Sequence, residues 1–388
     1  MDISTFHERI ESLLSNIGAR TQEAEERRRI PDETIKALRE SGLLKALQPR
    51  RYGGFEFDPI EFYRATARIG EVCGATGWVF GVLGVHPWQL ALFPDEAQAE
   101  IWDEDDSALV ASTYAPVGQI TRAPGGFRLS GQWPWSSGAD HCQWVMLGGA
   151  ELSDPEQPDM RTFLLPRTDY EIVDTWHSTG LAGTGTNDIR VEDVFVPEHR
   201  TLSFADTSRC ECPGNAVNSN SIYRLPFASV FSSTIAAASL GIARGALAEF
   251  REVLSKRFKI AFGEVARQDP HSQVKLAQAS SILDAGWLQL ERNIRDLTSA
   301  VTRGEPAETL LRARLRHDQA YAVARATDAI DVCFDASGGD SLRTHHRLQR
   351  CWRDLHAARH HAINEYERAA TLYGQAILGI DVEMQPML

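Results

Sequence analysis

The chain has 388 residues, enough for two or three domains with sizeable cores, and its 43% hydrophobic and 24% charged content is that of an ordinary globular protein. A formal net charge of -13 argues against nucleic acid or an anionic membrane as a partner, and no stretch reads as long and apolar enough to span a bilayer. The six cysteines are scattered and only Cys210 and Cys212 lie close, in neither CxxC nor zinc-knuckle spacing, so free thiols in a reducing cytoplasm are expected.

Residues 4–106 carry helical periodicity, opening with the amphipathic stretch MDISTFHERIESLL, which lacks a signal-peptide core. Ile30-Pro31-Asp32-Glu33 starts a helix in which Ile35, Leu38 and Leu43 follow helical spacing, and Gly42 lies near its stop. A turn at Gln48–Gly54 follows, then helices over 60–72 and 76–92. The second of these holds Trp78, His86 and Trp88 and is too apolar for a surface, so it is expected to be buried against another part of the fold.

The period changes from residue 108. Short alternating or β-branched runs over 109–115, 118–123, 127–133, 143–148, 162–165, 170–175 and 188–196 are separated by turn formers such as Pro124-Gly125-Gly126, Ser153-Asp154-Pro155 and Gly183-Thr184-Gly185. With no helix-length crossover between them, these read as an all-antiparallel sheet, and the polar residues 205–222 as a long loop. Four helical segments follow over 228–262, 271–303, 306–336 and 346–376; about 30 residues each gives about 45 Å, the length of a four-helix bundle. The reading is an α+β multidomain chain: an N-terminal helical domain (1–107), a central antiparallel β domain (108–222) and a C-terminal four-helix bundle (223–388).

The chemistry centres on GQWPWSSG at 131–138, where Trp135 offers a flat apolar face and Ser136 and Ser137 offer hydroxyls beside it. A planar, partly polar ring such as a flavin needs both; a strand end whose tryptophans plug the core would use the same residues. No GxGxxG follows a strand, Gly183-Thr-Gly185-Thr-Asn being half of one, and there is no GxxxxGK[ST], HExxH or GxSxG. The chain shows no nicotinamide site of its own, so reducing equivalents for any redox chemistry are expected from another protein.

The helical–sheet–helical order, together with LQPRRYGG (47–54), TNDIRVEDVFVP (186–197) and Trp352-Arg353-Asp354, resembles the acyl-CoA dehydrogenase fold over nearly the whole chain. Within it, CGATGW (73–78), GVHPW (84–88), the segment around Tyr114, WPWSSG (133–138) and WRDLHAARHHA (352–362) resemble the oxygenase components of two-component flavin-dependent monooxygenases, the phenol hydroxylases of steroid-ring and 4-hydroxyphenylacetate degradation. Aligning Arg353-Asp354 with the dehydrogenase pattern puts Ala362 where the catalytic glutamate would stand, which disfavours acyl-CoA dehydrogenation.

The resemblance implies the following roles. His361 would be the base that takes the proton from a phenol or indole, and His86 the second active-site histidine, beside Pro87. Ser137, with Ser136 sharing, would hydrogen-bond flavin N5; Ser112, Thr113 and Tyr114 would line flavin and substrate; Trp78 and Trp135 would pack on the ring. Arg257 would meet the flavin phosphate from a neighbouring subunit, near the Gly338-Gly339 turn. Reduced flavin (FADH2 or FMNH2) would arrive from an NAD(P)H:flavin reductase and, with molecular oxygen, form a C4a-hydroperoxide that hydroxylates a small aromatic substrate, in a cytoplasmic homotetramer. No metal is implied: His356 and His360 are spaced i, i+4, but no acidic third ligand accompanies them. An acyl-CoA dehydrogenase-like flavoprotein, an N-oxygenase and a non-catalytic scaffold are the other readings.

Overall fold

The structure, a computed structural model, describes residues 1–152, 158–259 and 263–382. The Ser153-Asp154-Pro155 turn and the last residues of the helical segment expected over 228–262 lie outside them.

The N-terminal third is helical: α1 (Ile3–Ala19), α2 (Thr21–Arg27), α3 (Asp32–Glu40), α4 (Pro59–Val72), α5 (Gly74–Leu90) and α6 (Asp95–Trp102). Helix α3 ends before Gly42, whose φ of 75° is the left-handed conformation that stops a helix at little cost. Every residue of α5 is buried, as its all-round apolar surface requires. Pro87 sits inside it and cannot donate to the ladder one turn back.

The sheet runs β1 (Val110–Thr113), β2 (Gln119–Ala123), β3 (Gly126–Ser136), β4 (Trp144–Glu151), β5 (Asp159–Pro166), β6 (Glu171–Val173), β7 (Asn187–Pro197) and β8 (Thr201–Ser203), in the order β6-β7-β3-β2-β4-β5-β8 with β1 on β4. It is mixed rather than all-antiparallel. β1 pairs β4 in parallel, and β2 touches β4 in parallel at Ile120 and Glu151. The β2–β3 hairpin itself forms the β1-to-β4 connection, so a parallel pair arises without a crossover helix.

Residues 205–222 are not the pattern-free loop expected. They hold α7 (Phe204–Arg209), whose first turn is capped by Ser203 Oγ, and two short 3-10 turns at Pro213–Ala216 and Ser221–Arg224.

Helix α8 (Phe227–Lys256) leads through the short hairpin β9 (Phe258–Lys259) and β10 (Glu264–Val265) into α9 (Pro270–Thr302) and α10 (Thr309–Ser337). By length and composition α8 would reach across a membrane, contrary to the reading of the sequence, but 89% of its most apolar stretch is buried inside the protein, where its small residues let α4 approach closely. The last segment is two helices, α11 (Arg347–Arg359) and α12 (Tyr366–Ile377), broken by a 3-10 turn at Ala362–Asn364. Glu25 of α2 ties α11 to the N-terminal helices, bridging Arg350 at 2.6 Å and Arg353 at 2.5 Å.

Candidate active site

The WPWSSG stretch ends β3 with a bulge. Trp133 faces Ile189 and Ser136 faces Asn187, so three steps on β3 oppose two on β7. Pro134 cannot join the ladder, and Trp135 takes up the extra residue at φ 70°. The two indoles therefore part. Trp133 is fully buried and donates to Gly148 O at 2.7 Å, whereas Trp135 is 64% exposed. The same twist turns Ser136 and Ser137 inward. Ser136 Oγ is buried without a hydrogen-bond partner, and Ser137 Oγ accepts from Trp78 Nε1 at 3.2 Å.

The break between α11 and α12 does the corresponding work on the bundle side. Asn364 Nδ2 donates to Ala358 O at 2.8 Å, and Gln319 Nε2 of α10 donates to Asn364 Oδ1 at 2.6 Å. Buried Arg316 in turn donates to Gln319 Oε1 at 2.8 Å. These bonds take up polar groups that an unbroken helix would leave without partners, and they swing His361 inward. Its ring lies 5.7 Å from Trp78 and 6.3 Å from Phe231.

Phe231 continues the wall to Tyr114 (5.4 Å, edge-on) and Phe227 (5.7 Å, stacked), and Tyr114 donates its hydroxyl proton to Gln89 of α5. Thus Trp78, Tyr114, Ser137 and His361 form one continuous lining between sheet, α5 and bundle. Ser112 and Thr113 flank it on β1, with the Thr113 hydroxyl spent on Pro134 O at 2.6 Å.

Both histidines are neutral at ordinary pH. Burial pushes His361 down to about 4, with the nearby Arg316 charge adding to the effect; burial alone does the same to His86, against an opposing bond to Val110 O at 2.5 Å. His86 Nε2 is buried without a partner. His361 Nδ1 accepts the Ile363 N–H at 3.2 Å, so the neutral ring carries its proton on Nε2.

In this tautomer the lone pair of His361 is engaged at Nδ1 and Nε2 carries the proton. The three neighbouring histidines also separate: His356 bonds Asp331 at 2.7 Å, and His360 is exposed. Among the described residues no group of three or more His, Cys, Asp or Glu is placed to hold a metal.

Arg257, Gly338 and Gly339 do not join this lining. They line a separate cleft of about 1060 Å³ with Lys259, Lys275 and Arg343. Arg257 Nη1 donates to Ala336 O at 3.0 Å, and its guanidinium lies so close over Gly338 (φ 86°) that any side chain there would displace it.

Comparison with known proteins places this arrangement. Residues 5–103 match the family model described as Acyl-CoA dehydrogenase, N-terminal domain, and residues 233–366 that described as Acyl-CoA dehydrogenase, C-terminal domain. The flavin-dependent monooxygenase, oxygenase subunit HsaA, of Rhodococcus jostii (strain RHA1) is 44% identical over 376 residues, covering 97% of this chain and 98% of that one. The chain belongs to the flavin-dependent monooxygenase oxygenases of the acyl-CoA dehydrogenase fold.

The oxygenase superposes on the crystal structure of 3-HSA hydroxylase from Rhodococcus sp. RHA1 with a TM-score of 0.95 at 42% identity, over 100% of both chains. The FADH(2)-dependent resorcinol hydroxylase, oxygenase component, of Rhizobium sp. (strain MTP-10005) is 34% identical, covering 97% of this chain and 95% of that one.

The residues present fit a flavin. A buried, unpartnered Ser136 hydroxyl lies beside an exposed indole, and the separate cleft, lined by cations and carboxylates alike, sets Arg257 beside a turn at Gly338-Gly339 that is open beyond Gly339. Residues that sequence reasoning missed are Phe227, Phe231, Gln89, Arg316, Thr184 and Thr186. The threonines stand in the GTGTN segment, whose glycines are its only pattern in the sequence.

Proposed function

We propose that this oxygenase hydroxylates a small phenolic or indolic substrate using reduced flavin, FADH2 or FMNH2, delivered by a separate NAD(P)H:flavin reductase. When bound, the reduced flavin supplies the two electrons with which dioxygen gives one atom to the ring and one to water. Ser136, Ser137 and Trp135 would hold the flavin ring, and Arg257 with the Gly338-Gly339 turn its phosphate end.

Substrate would lie against Trp78, Tyr114 and Phe231. There His361 Nε2–H would donate to the oxygen of a phenol that enters as its phenolate, its proton already left in the solvent, and the Arg316 charge close by would favour that anionic, electron-rich form. His86 and Ser112 would complete the substrate side. The apolar wall limits water and so protects the activated oxygen from being lost as hydrogen peroxide.

The observation that carries this reading is the helix break that seats His361 against Trp78, one hydrogen bond from Ser137. No carboxylate stands at the base position that follows Arg353-Asp354: Ala362 is there, exposed at the start of the turn. Exposed apolar side chains such as Leu342, Ile377 and Leu378 support assembly into a homotetramer, and six free thiols support a cytoplasmic setting.

The test supplies photoreduced flavin and air with a panel of phenols and indole, and measures hydroxylated product against hydrogen peroxide. The expected result is coupled product from the native chain and mostly peroxide from His361→Ala. Equal coupling in the two proteins would sink the assignment.

A further inference from the structure

Four oxygens stand in a row beneath the sheet end. Thr184 Oγ1 is 2.7 Å from Leu181 O, Thr186 Oγ1 is 2.6 Å from Thr184 Oγ1, and Ser137 Oγ is 2.8 Å from Thr186 Oγ1. All three hydroxyls are buried, with exposures of 1%, 7% and 6% for Thr184, Thr186 and Ser137. Each gap is a hydrogen-bond distance, so each needs one proton in it.

The carbonyl has no proton to give, so the first gap takes that of Thr184. Thr184 has no second proton, and the next gap takes that of Thr186. The last therefore takes that of Ser137. Trp78 Nε1–H approaches Ser137 Oγ from another side at 3.2 Å, again as a donor. Ser137 is left with one lone pair and no proton to offer.

We propose that this relay makes Ser137 an obligate acceptor and thereby makes the site select reduced over oxidised flavin, with Thr184 and Thr186 as positioning residues. The inference rests on the reading above that the flavin ring lies against Ser137. The isoalloxazine N5 carries a proton only in the reduced ring; in the oxidised ring it is a bare acceptor. A fixed lone pair therefore bonds one redox state and repels the other. Such a device suits a protein that receives its flavin already reduced.

The relay's far end is held by the bundle. Leu181 N donates to Asp354 Oδ1 of α11 at 2.6 Å, and Gly180 packs so closely on Arg353 O that a side chain there has no room. The direction of the Ser137 proton is thus set by residues that need not touch the flavin at all.

The experiment measures dissociation constants for oxidised FAD in air and for photoreduced FAD under anaerobic conditions, and takes their ratio for each protein. Thr186→Val frees the Ser137 proton to turn outward, and the ratio is expected to fall about tenfold, the scale of one hydrogen bond gained or lost. Thr184→Val should lower it further, because the Thr186 hydroxyl then has only Ser137 to donate to; this variant also carries the test if Thr186→Val fails to fold. Thr186→Ser restores the hydroxyl and should restore the ratio. A native ratio near one, or valine variants that shift both constants by the same factor, would overturn the relay. If Ser137→Ala binds both redox forms as the native chain does, the ring does not lie against Ser137, and the placement of the flavin fails with it.

Discussion

Asp354 offers the sharpest test of how bundle and sheet are joined. Its carboxyl is buried between α11 and the loop before β7, accepting Leu181 N–H on Oδ1, while Oδ2 would stand 2.8 Å from any Cβ placed at Gly74. Burial dominates over that bond and over the neighbouring arginines, raising the group from its ordinary 3.8 to about 6. The folded protein therefore holds this proton between those two values while the unfolded chain has released it. Stability from this group is complete below pH 3.8 and is lost as pH rises through 6. About two pH units at 1.36 kcal/mol each make the loss about 3 kcal/mol. Asp354→Asn keeps an oxygen for Leu181 N–H and removes the titration. Urea unfolding of both proteins at intervals from pH 4 to pH 8 is expected to show the variant gaining on the native chain by up to about 3 kcal/mol, all of it between pH 4 and 7. Parallel profiles would show that Asp354 ionises in the fold as freely as in the unfolded chain, and the burial argument would be wrong.

The remaining predictions concern the site walls. His86, held down to about 4 by burial, resists protonation in the fold, so its contribution is present above pH 6.5 and lost as pH falls through 4; His86→Gln should flatten acid unfolding by up to about 3 kcal/mol over that window, with the opposite slope to Asp354. Gly118→Ala drives a methyl into the Trp133 ring and should cost about 1–3 kcal/mol, read as a lowered thermal midpoint; an unchanged midpoint would mean the indole has room to move. Gln319→Leu strips Asn364 and Arg316 of a buried partner and should cost about 1–3 kcal/mol, while raising the peroxide fraction because His361 loses its seat; full coupling in that variant would separate the helix break from catalysis.

Much of this fold lies open in the sequence wherever local chemistry decides the structure. Gly42 stops α3, the unbroken apolar run of α5 announces its burial, and the change of period near residue 108 marks the sheet. What stays hidden is decided by partners distant in the chain. His360 to Glu365 contains no proline or glycine, and the helix breaks there because Gln319 and Asn364 offer better hydrogen bonds than continuation does. The bulge at Trp135 follows the same logic: nothing in a short run with two indoles tells them apart, yet one extra residue against β7 leaves Trp133 buried and Trp135 exposed. Of the residues in this lining, Trp78, Tyr114 and His361 stand out in the sequence because their types are rare, whereas Phe227 and Phe231 are lost among ordinary core aromatics. Thr184 and Thr186 do not stand out either, since a threonine matters here only through the direction of a proton that no pattern of residue types records.

The two halves of the lining share a single reference. Asp354 and His361 stand seven residues apart, with α11 running from one almost to the other, and the first fixes the loop that carries Thr184 and Thr186 while the second faces Trp78. About two turns of helix, itself clamped to α2 through Glu25, therefore set the distance between the edge where the flavin would be read and the group that would meet the substrate. A sheet and a bundle that met only through apolar side chains would slide by fractions of an ångström with each change of packing. Here the joint is made of directional bonds, a carboxyl on a backbone N–H and three hydroxyls in series, beside a glycine packed closely on a carbonyl. Directional bonds tolerate little sliding, which is what transfer of a single oxygen atom between two separately held rings demands.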